Sequence, residues 1–236
     1  MASCLEAVRL SKKYDGLVAL DHVSLKSSSG QITSIVGVNG SGKTTLLKIL
    51  AGLEEADEGA IMVDSKNTSS ESLRAKCTMV FQKSVIISGT VYDNVAYGLR
   101  VNGVPSKDIK DRVHHALGIV NLAAFGGRKA RKLSSGEQQR VAIARALVIE
   151  RQIILIDEPT SNLDPANTLI IEQAIKDSAQ SRIIILSTHN LPQAKRLSHR
   201  LVHLYRGHLV EDGATEEFFA RPRDEKTRLF VGGDLQ

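Results

Sequence analysis

Tryptophan is absent from the chain, and aromatic residues together fill only 4% of its 236 positions. A protein that grips single-stranded nucleic acid by stacking bases needs a row of aromatic faces, so the composition argues against that class. Cysteine is nearly absent as well. Cys4 and Cys77 are the only two, and they show no metal-binding or redox spacing. That usage suits a reducing compartment and gives no disulfide scaffold. Cys77, inside the apolar run "CTMVF", reads as a small buried hydrophobe. No apolar run approaches membrane-spanning length, and the opening "MASCLEAVRL" has no signal-type apolar core. The chain is therefore expected not to cross a bilayer by itself and to reach one only through a partner. The formal net charge of +5 is mild. It permits contact with nucleotides, nucleic acid or anionic lipid, and equally fits a plain solvated basic surface.

What is present is an ordinary globular mix, 42% hydrophobic and 24% charged, long enough for one large domain or a core with an added lobe. Near the N-terminus, "LEAVRL", "HVSLKSS" and "QITSIVG" are short strand-like runs separated by Gly/Ser turns. The polar tracts "KSSSG" and "SKNTSSES" read as turns. Further strands are expected at "GAIMVD" and "CTMVF", then helices at "VYDNVAYGLRV" and "SKDIKDRVHHALGIV". Two short apolar runs, "IILID" and "IIILST", flank the helical run "TLIIEQAIKDSA" and predict buried strands. "RLVHLYRGHLVEDG" reads as a hairpin about Arg206-Gly207, followed by a short helix "TEEFFA". Strands alternating with helices predict an α/β parallel sheet, and the long helical stretch between about Val91 and Glu150 predicts a separate lobe.

Five stretches carry chemistry. "GVNGSGKT" fits G-x-x-x-x-G-K-[ST] at Gly37, Gly42, Lys43 and Thr44, after a predicted strand at Ile32–Val36 and before a helix. Glycines there let backbone N–H groups wrap phosphates, Lys43 adds charge at the outer phosphates, and Thr44 offers a hydroxyl to Mg²⁺. "IILIDEP" ends an apolar strand in Asp157 and Glu158. The first is placed to hold Mg²⁺ and the second to polarise an attacking water. Gln82 in "VFQKS" and His189 in "IIILSTHN" also close apolar runs. Gln82 is a candidate ligand of Mg²⁺ or its water, and His189 a candidate hydrogen-bond donor to the γ-phosphate; either alone is more often a plain strand-end residue. His22, His114, His115, His199, His203 and His208 fall into no metal-binding spacing. "LSSGEQQR", from Leu133 to Arg140, is a Ser-x-x-Glu capping box opening a helix, and its exposed N–H groups would attract an anion. The chain thus holds two phosphate-facing helix starts.

In this order the motifs resemble the nucleotide-binding subunit of ATP-binding-cassette (ABC) transporters, across essentially the whole chain. "GVNGSGKTT" is similar to that family's Walker A, "VFQKS" to its Q-loop, "LSSGEQQR" to its signature, "IILIDEP" to its Walker B with catalytic glutamate, "SNLD" to its D-loop and "STHN" to its H-loop. Tyr14 in "SKKYDG" takes the place of its adenine-stacking aromatic. The resemblance implies an α/β fold: a P-loop NTPase (RecA-like) core with an N-terminal antiparallel β subdomain and an inserted α-helical subdomain. The core would span 1–85 and 151–236, and the helical insertion 86–150. It implies ATP and Mg²⁺ as cofactors, with Glu158, His189 and Lys43 catalytic and Thr44, Gln82 and Asp157 at the metal. Nucleotide contacts would come from Tyr14, Gly37, Asn39, Gly40, Ser41, Gly42, Lys43, Thr44, Thr45 and Gln82. Asp164 would be a further nucleotide contact, and Ser134, Ser135, Gly136 and Glu137 would contribute across a head-to-tail homodimer that sandwiches two nucleotides. One residue departs from the family pattern: Ser135 stands where glycine is usual. Serine is small, so phosphate approach is expected to survive, with turnover the property at stake.

The same resemblance implies transmembrane permease subunits as partners, an extracytoplasmic solute-binding protein as an indirect one, no nucleic acid, and a place on the cytoplasmic face of the inner membrane. "TVYDNVAYGLRVNG" resembles oxyanion importers, and "SNLDPANT" with "LVEDGATEEFFARPRDEKTRLFVGGDL" resembles the tungstate importer ATPases in particular. The chain is expected to lack the extra C-terminal regulatory domain of the sugar and some molybdate importer ATPases. A polar amino-acid importer ATPase shares the size and core motifs and stays open. DNA-repair or chromosome-organising ABC ATPases carry a long coiled coil between the two halves, and no heptad pattern lies between Gln82 and Leu133. Translation-associated ABC ATPases normally carry two cassettes, and this chain holds one set of motifs.

Overall fold

Successive residues of the two apolar runs around Asp157 face opposite ways and are buried on both sides, which is why those runs do not alternate with polar residues. Ile153 and Leu155 enter one apolar cluster, whereas Ile154 and Ile156 enter another. The computed structural model that shows this describes residues 3–161 and 163–235. The chain begins with β1 (Cys4–Tyr14), β2 (Leu17–Ser28) and β3 (Ile32–Val36), followed by α1 (Lys43–Leu50), β4 (Glu58–Val63), β5 (Lys66–Asn67), α2 (Ser70–Lys76) and β6 (Cys77–Val80). Next come α3 (Val91–Val101), α4 (Ser106–Ile119) and α5 (Ser135–Leu147). The remainder is β7 (Ile153–Asp157), α6 (Pro165–Ala179), β8 (Ile183–Thr188), α7 (Leu191–Leu197), β9 (Arg200–Tyr205), β10 (His208–Ala214), α8 (Thr215–Ala220) and α9 (Glu225–Gly232).

Two sheets organise these elements. One has the order β2-β1-β4-β5 and is antiparallel; the other has the order β10-β9-β3-β8-β7-β6, parallel except for the β9–β10 hairpin. The antiparallel sheet and α1 cover one face of the central sheet through Leu5, Leu25, Leu46, Leu50, Ile183 and Val202. Helices α3 to α6 cover the other through Val95, Val113, Ile143, Ile171, Ile184 and Leu186. The apolar cluster of the helical stretch runs without a break into that sheet face. The expected α/β class, with an antiparallel N-terminal sheet and helices inserted after β6, is what the chain adopts.

Two polar tracts behave differently from the turn reading. "SKNTSSES" contributes β5 and the start of α2, with Ser69 as the N-cap accepting from Ser72 N–H and Leu73 as the buried anchor. Serine favours caps as much as turns, so composition alone points either way. In "KSSSG", Lys26 to Ser28 finish β2 and the turn is confined to Ser29 and Gly30. Helices α7 and α9 complete the C-terminal side. Cys77 is buried as expected, and burial pushes its thiol up to about 12. Two of the unassigned histidines are structural: His199 Nδ1 accepts from Ile32 N–H at 3.0 Å, and the fully buried His203 stacks on Phe230 with centroids 4.6 Å apart.

Candidate functional site

β3 ends at the centre of the parallel sheet, and residues 37–42 turn its carboxyl end into α1, the place where open α/β sheets present ligands. Only glycine fits the two ends of that turn. A Cβ on Gly37 (φ +150°) would sit 2.1 Å from the Leu204 carbonyl oxygen, and one on Gly42 (φ +105°) 2.5 Å from that of Ala19. The Lys43 ammonium closes the loop by donating to Gly37 O at 2.8 Å and Val38 O at 2.9 Å. Burial lowers its pKa, opposed by the charges of Glu158 and Asp157. The Ser41 hydroxyl is buried with no hydrogen-bond partner. A cavity of about 270 Å³ opens above the loop, lined by Tyr14, Ala19, all of Asn39 to Thr45, Gln82, Asp157 and Glu158. An orphaned hydroxyl, a buried ammonium and a helix start facing one cavity make a site that fits phosphate oxygens.

The carboxylates enter from β7. Asp157 Oδ2 accepts from Thr44 Oγ1 at 2.8 Å, while its other oxygen accepts from Ser187 Oγ on β8. Glu158 lies just past the strand with φ +47°, a left-handed conformation that costs a non-glycine residue about 1 kcal/mol. Its N–H is held by Ser187, donating to both the carbonyl and the hydroxyl at 3.2 Å. Its Oε1 lies 2.9 Å from Nδ1 of His189, with the glutamate side chain 9% exposed and the histidine 54%. The donor set of Thr44 hydroxyl, Asp157 carboxylate and Gln82 amide is all oxygen and sparse. That suits Mg²⁺, which keeps waters and phosphate oxygens in its own shell, and no denser His/Cys/Asp/Glu cluster occurs among the described residues.

The sequence motifs therefore divide. Tyr14, 38% exposed, the loop residues, Gln82, Asp157 and Glu158 share one cavity. Gly37 and His189 stand behind it, Gly37 through Lys43 and His189 through Glu158. Ser134, Ser135, Gly136, Glu137 and Asp164 do not line it. Ser134 caps α5 as the Ser-x-x-Glu spacing predicts: its Oγ accepts from Glu137 N–H at 3.3 Å, and Glu137 Oε2 accepts from Ser134 N–H at 2.8 Å. That backbone bond holds the Glu137 carboxyl below its usual range. Ser134 and Ser135 are exposed, and Ser135 borders a second cavity of about 660 Å³ together with Gln82 and Ser161. Asp164 caps α6, accepting from Asn167 N–H at 2.9 Å. Asn162 of "SNLD" lies outside the described residues. Sequence reasoning missed Ser187, whose signal is its register: it faces Asp157 directly across the β7–β8 ladder.

A protein-family model described as "ABC transporter" matches residues 20–161. The chain belongs to that family. As an ABC transporter ATPase it hydrolyses ATP for transport. It is 39% identical to a phosphate import ATP-binding protein of Natronomonas pharaonis, over 98% of this chain and 87% of that one. It is 39% identical to the tungstate uptake system ATP-binding protein of Peptoclostridium acidaminophilum, over 86% and 94% respectively. Methionine import ATP-binding proteins of Listeria monocytogenes are also 39% identical, over 92% of this chain and 67% of theirs. Among solved structures, cbiO1 from Clostridium perfringens, described as part of the ABC transporter complex cbiONQ, superposes with a TM-score of 0.84 at 29% identity, covering 92% of this chain and 90% of that one. No helix among the described residues is long and apolar enough to cross a membrane.

Proposed function

We propose that this ATPase powers import of an oxyanion such as tungstate, molybdate or phosphate. In this reading it docks as a homodimer on permease subunits at the cytoplasmic face of the membrane, fed by an extracytoplasmic solute-binding protein. The phosphate and tungstate relatives support the solute class, and the likeness to a member of a multi-subunit transporter supports the permease. Residues 86–150 act as the helical subdomain and 1–85 with 151–236 as the core.

The observation that carries the mechanism is the Thr44–Asp157–Ser187 chain beside the Glu158–His189 pair: Thr44, Asp157 and Glu158 line the cavity, with Ser187 and His189 bonded to the two carboxylates. Backbone N–H groups of residues 39–45 with Lys43 bind the phosphates, and Tyr14 offers a ring face to the base. Thr44, Asp157 and Gln82 would hold Mg²⁺, which when bound draws negative charge off the outer phosphates. Glu158, oriented by His189, takes the proton of the attacking water, a role worth roughly 10²–10⁴ in rate. His189 keeps its exposed edge for the phosphate that leaves. Ser134, Ser135 and the N–H groups of the α5 start serve the nucleotide of a second copy. Their exposure and their absence from the chain's own cavity support that placement. Closure is a two-state interface biased by the γ-phosphate.

The test of the solute class is to purify the chain with its membrane partners and follow ATP hydrolysis as loaded binding protein is added. Stimulation by tungstate or phosphate supports the reading. Stimulation by methionine alone would replace it with the amino-acid importer, the reading that the equally identical methionine import relatives support.

A further inference from the structure

Two residues beyond Gln82, the Ser84 hydroxyl donates a hydrogen bond to Oε1 of Gln139, one turn into α5. Gln139 is 4% exposed, and its Nε2 has no partner. Further along the same helix, Arg145 donates to the Val85 carbonyl at 2.8 Å. The segment that follows Gln82 is thus strapped to α5 at two points. Gln82 itself lines both the phosphate cavity and the larger cavity bordered by Ser135, and Gln139 lines the latter. Ser135 and Gln139 are four residues apart, so they share a face of α5.

We propose that Ser84 and Gln139 are a positioning pair. The bond between them ties the state of a chain's own phosphate site, sensed at Gln82, to the placement of the α5 start that the chain offers to its second copy. The inference rests on the two-copy reading of Ser134 to Glu137. A buried amide with a single hydrogen bond is suited to such a link. Withdrawal of Ser84 leaves Gln139 with nothing, so the helix start and the Gln82 segment favour moving together. The capping box holds the end of α5 in shape, and the Ser84 bond sets where that end points.

The test compares wild type, Ser84→Ala, Ser84→Thr, Gln139→Leu and the double variant Ser84→Ala/Gln139→Leu in the full chain, with ATP affinity, kcat and melting temperature read for each. The wild-type rate rising with the square of chain concentration is the control for the two-copy reading. A rate that stays linear at concentrations where the chain sediments as a monomer would remove that reading and this inference with it. With the square dependence in place, Ser84→Ala should lower kcat about ten-fold while ATP affinity stays within about two-fold. Ser84→Thr should restore kcat, and the double variant should be no slower than the singles because they break one bond. The inference is overturned if Ser84→Ala keeps wild-type kcat. It is equally overturned if the kcat loss tracks a drop in melting temperature that Ser84→Thr fails to reverse, or if the two substitutions add.

Discussion

The two anion-seeking helix starts of this chain are built in opposite ways. At the start of α1 the backbone is wrapped on itself: Gly37 and Gly42 press against other carbonyls, Lys43 is buried, and a cavity with two carboxylates lies above. At the start of α5 the helix end is exposed, its cap is satisfied internally by Ser134 and Glu137, and the cavity that Ser135 borders has no Asp or Glu among its described lining residues. A complete site needs charge, metal donors and a base together. Only the first start has them, so the second makes chemical sense as a part lent elsewhere.

The largest expected effect separates chemistry from binding at the first start. Glu158→Gln should lower kcat by at least about 10² while ATP affinity persists, because it removes the base and leaves the loop untouched. Equal turnover in single-turnover assays would take Glu158 out of that role. Ser134→Arg sharpens the contrast from the other side: hydrolysis and dimer formation should be lost while equilibrium ATP binding to the monomer stays near wild type. Loss of monomer binding would mean that the α5 start belongs to the chain's own site. Lys43→Ala should weaken ATP binding by about ten-fold or more, read by nucleotide titration, since a charged hydrogen-bond donor facing phosphate is removed. Ser187→Ala should slow hydrolysis by about five-fold, with little change in affinity, by freeing Asp157 Oδ1 and leaving the Glu158 N–H with the Ser187 carbonyl alone.

The smallest effect concerns the packing behind the first start. His203 pairs in register with Val36, the residue before Gly37, and bonds to Thr227 of α9 at 2.9 Å. Burial lowers its pKa from 6.5 to about 4. The folded state therefore binds fewer protons than the unfolded one between those values, so stability is held above pH 6.5 and lost as pH falls toward 4. The melting temperature should decline across that window, and His203→Gln should flatten the decline.

Much of this is legible in the amino-acid sequence. The apolar runs at Ile153 and Ile183 could only be doubly buried strands, the glycine pattern at Gly37 to Thr44 specified its own turn, and Ser134 with Glu137 specified a cap. What stayed hidden depended on partners distant in sequence. Ser187 matters because it lies across from Asp157, a register that no local pattern encodes. The α2 helix was hidden because its cap residues are also turn residues and only Leu73 of it is buried. Glu137 and Asp164 also cap their own helices, which the Ser-x-x-Glu spacing announces for the first.

The central claim, that one copy's α5 start closes over another copy's phosphate loop, is tested most directly by cross-linking in a Glu158→Gln background. One chain would carry Ser134→Cys and a second, of different tag size, Asn39→Cys. On mixing with ATP, a covalent product containing both chains should form, and omitting ATP should abolish it. If no product joins the two chains, and a single chain bearing both cysteines instead links within itself, the two helix starts share one site in one copy and the account is contradicted.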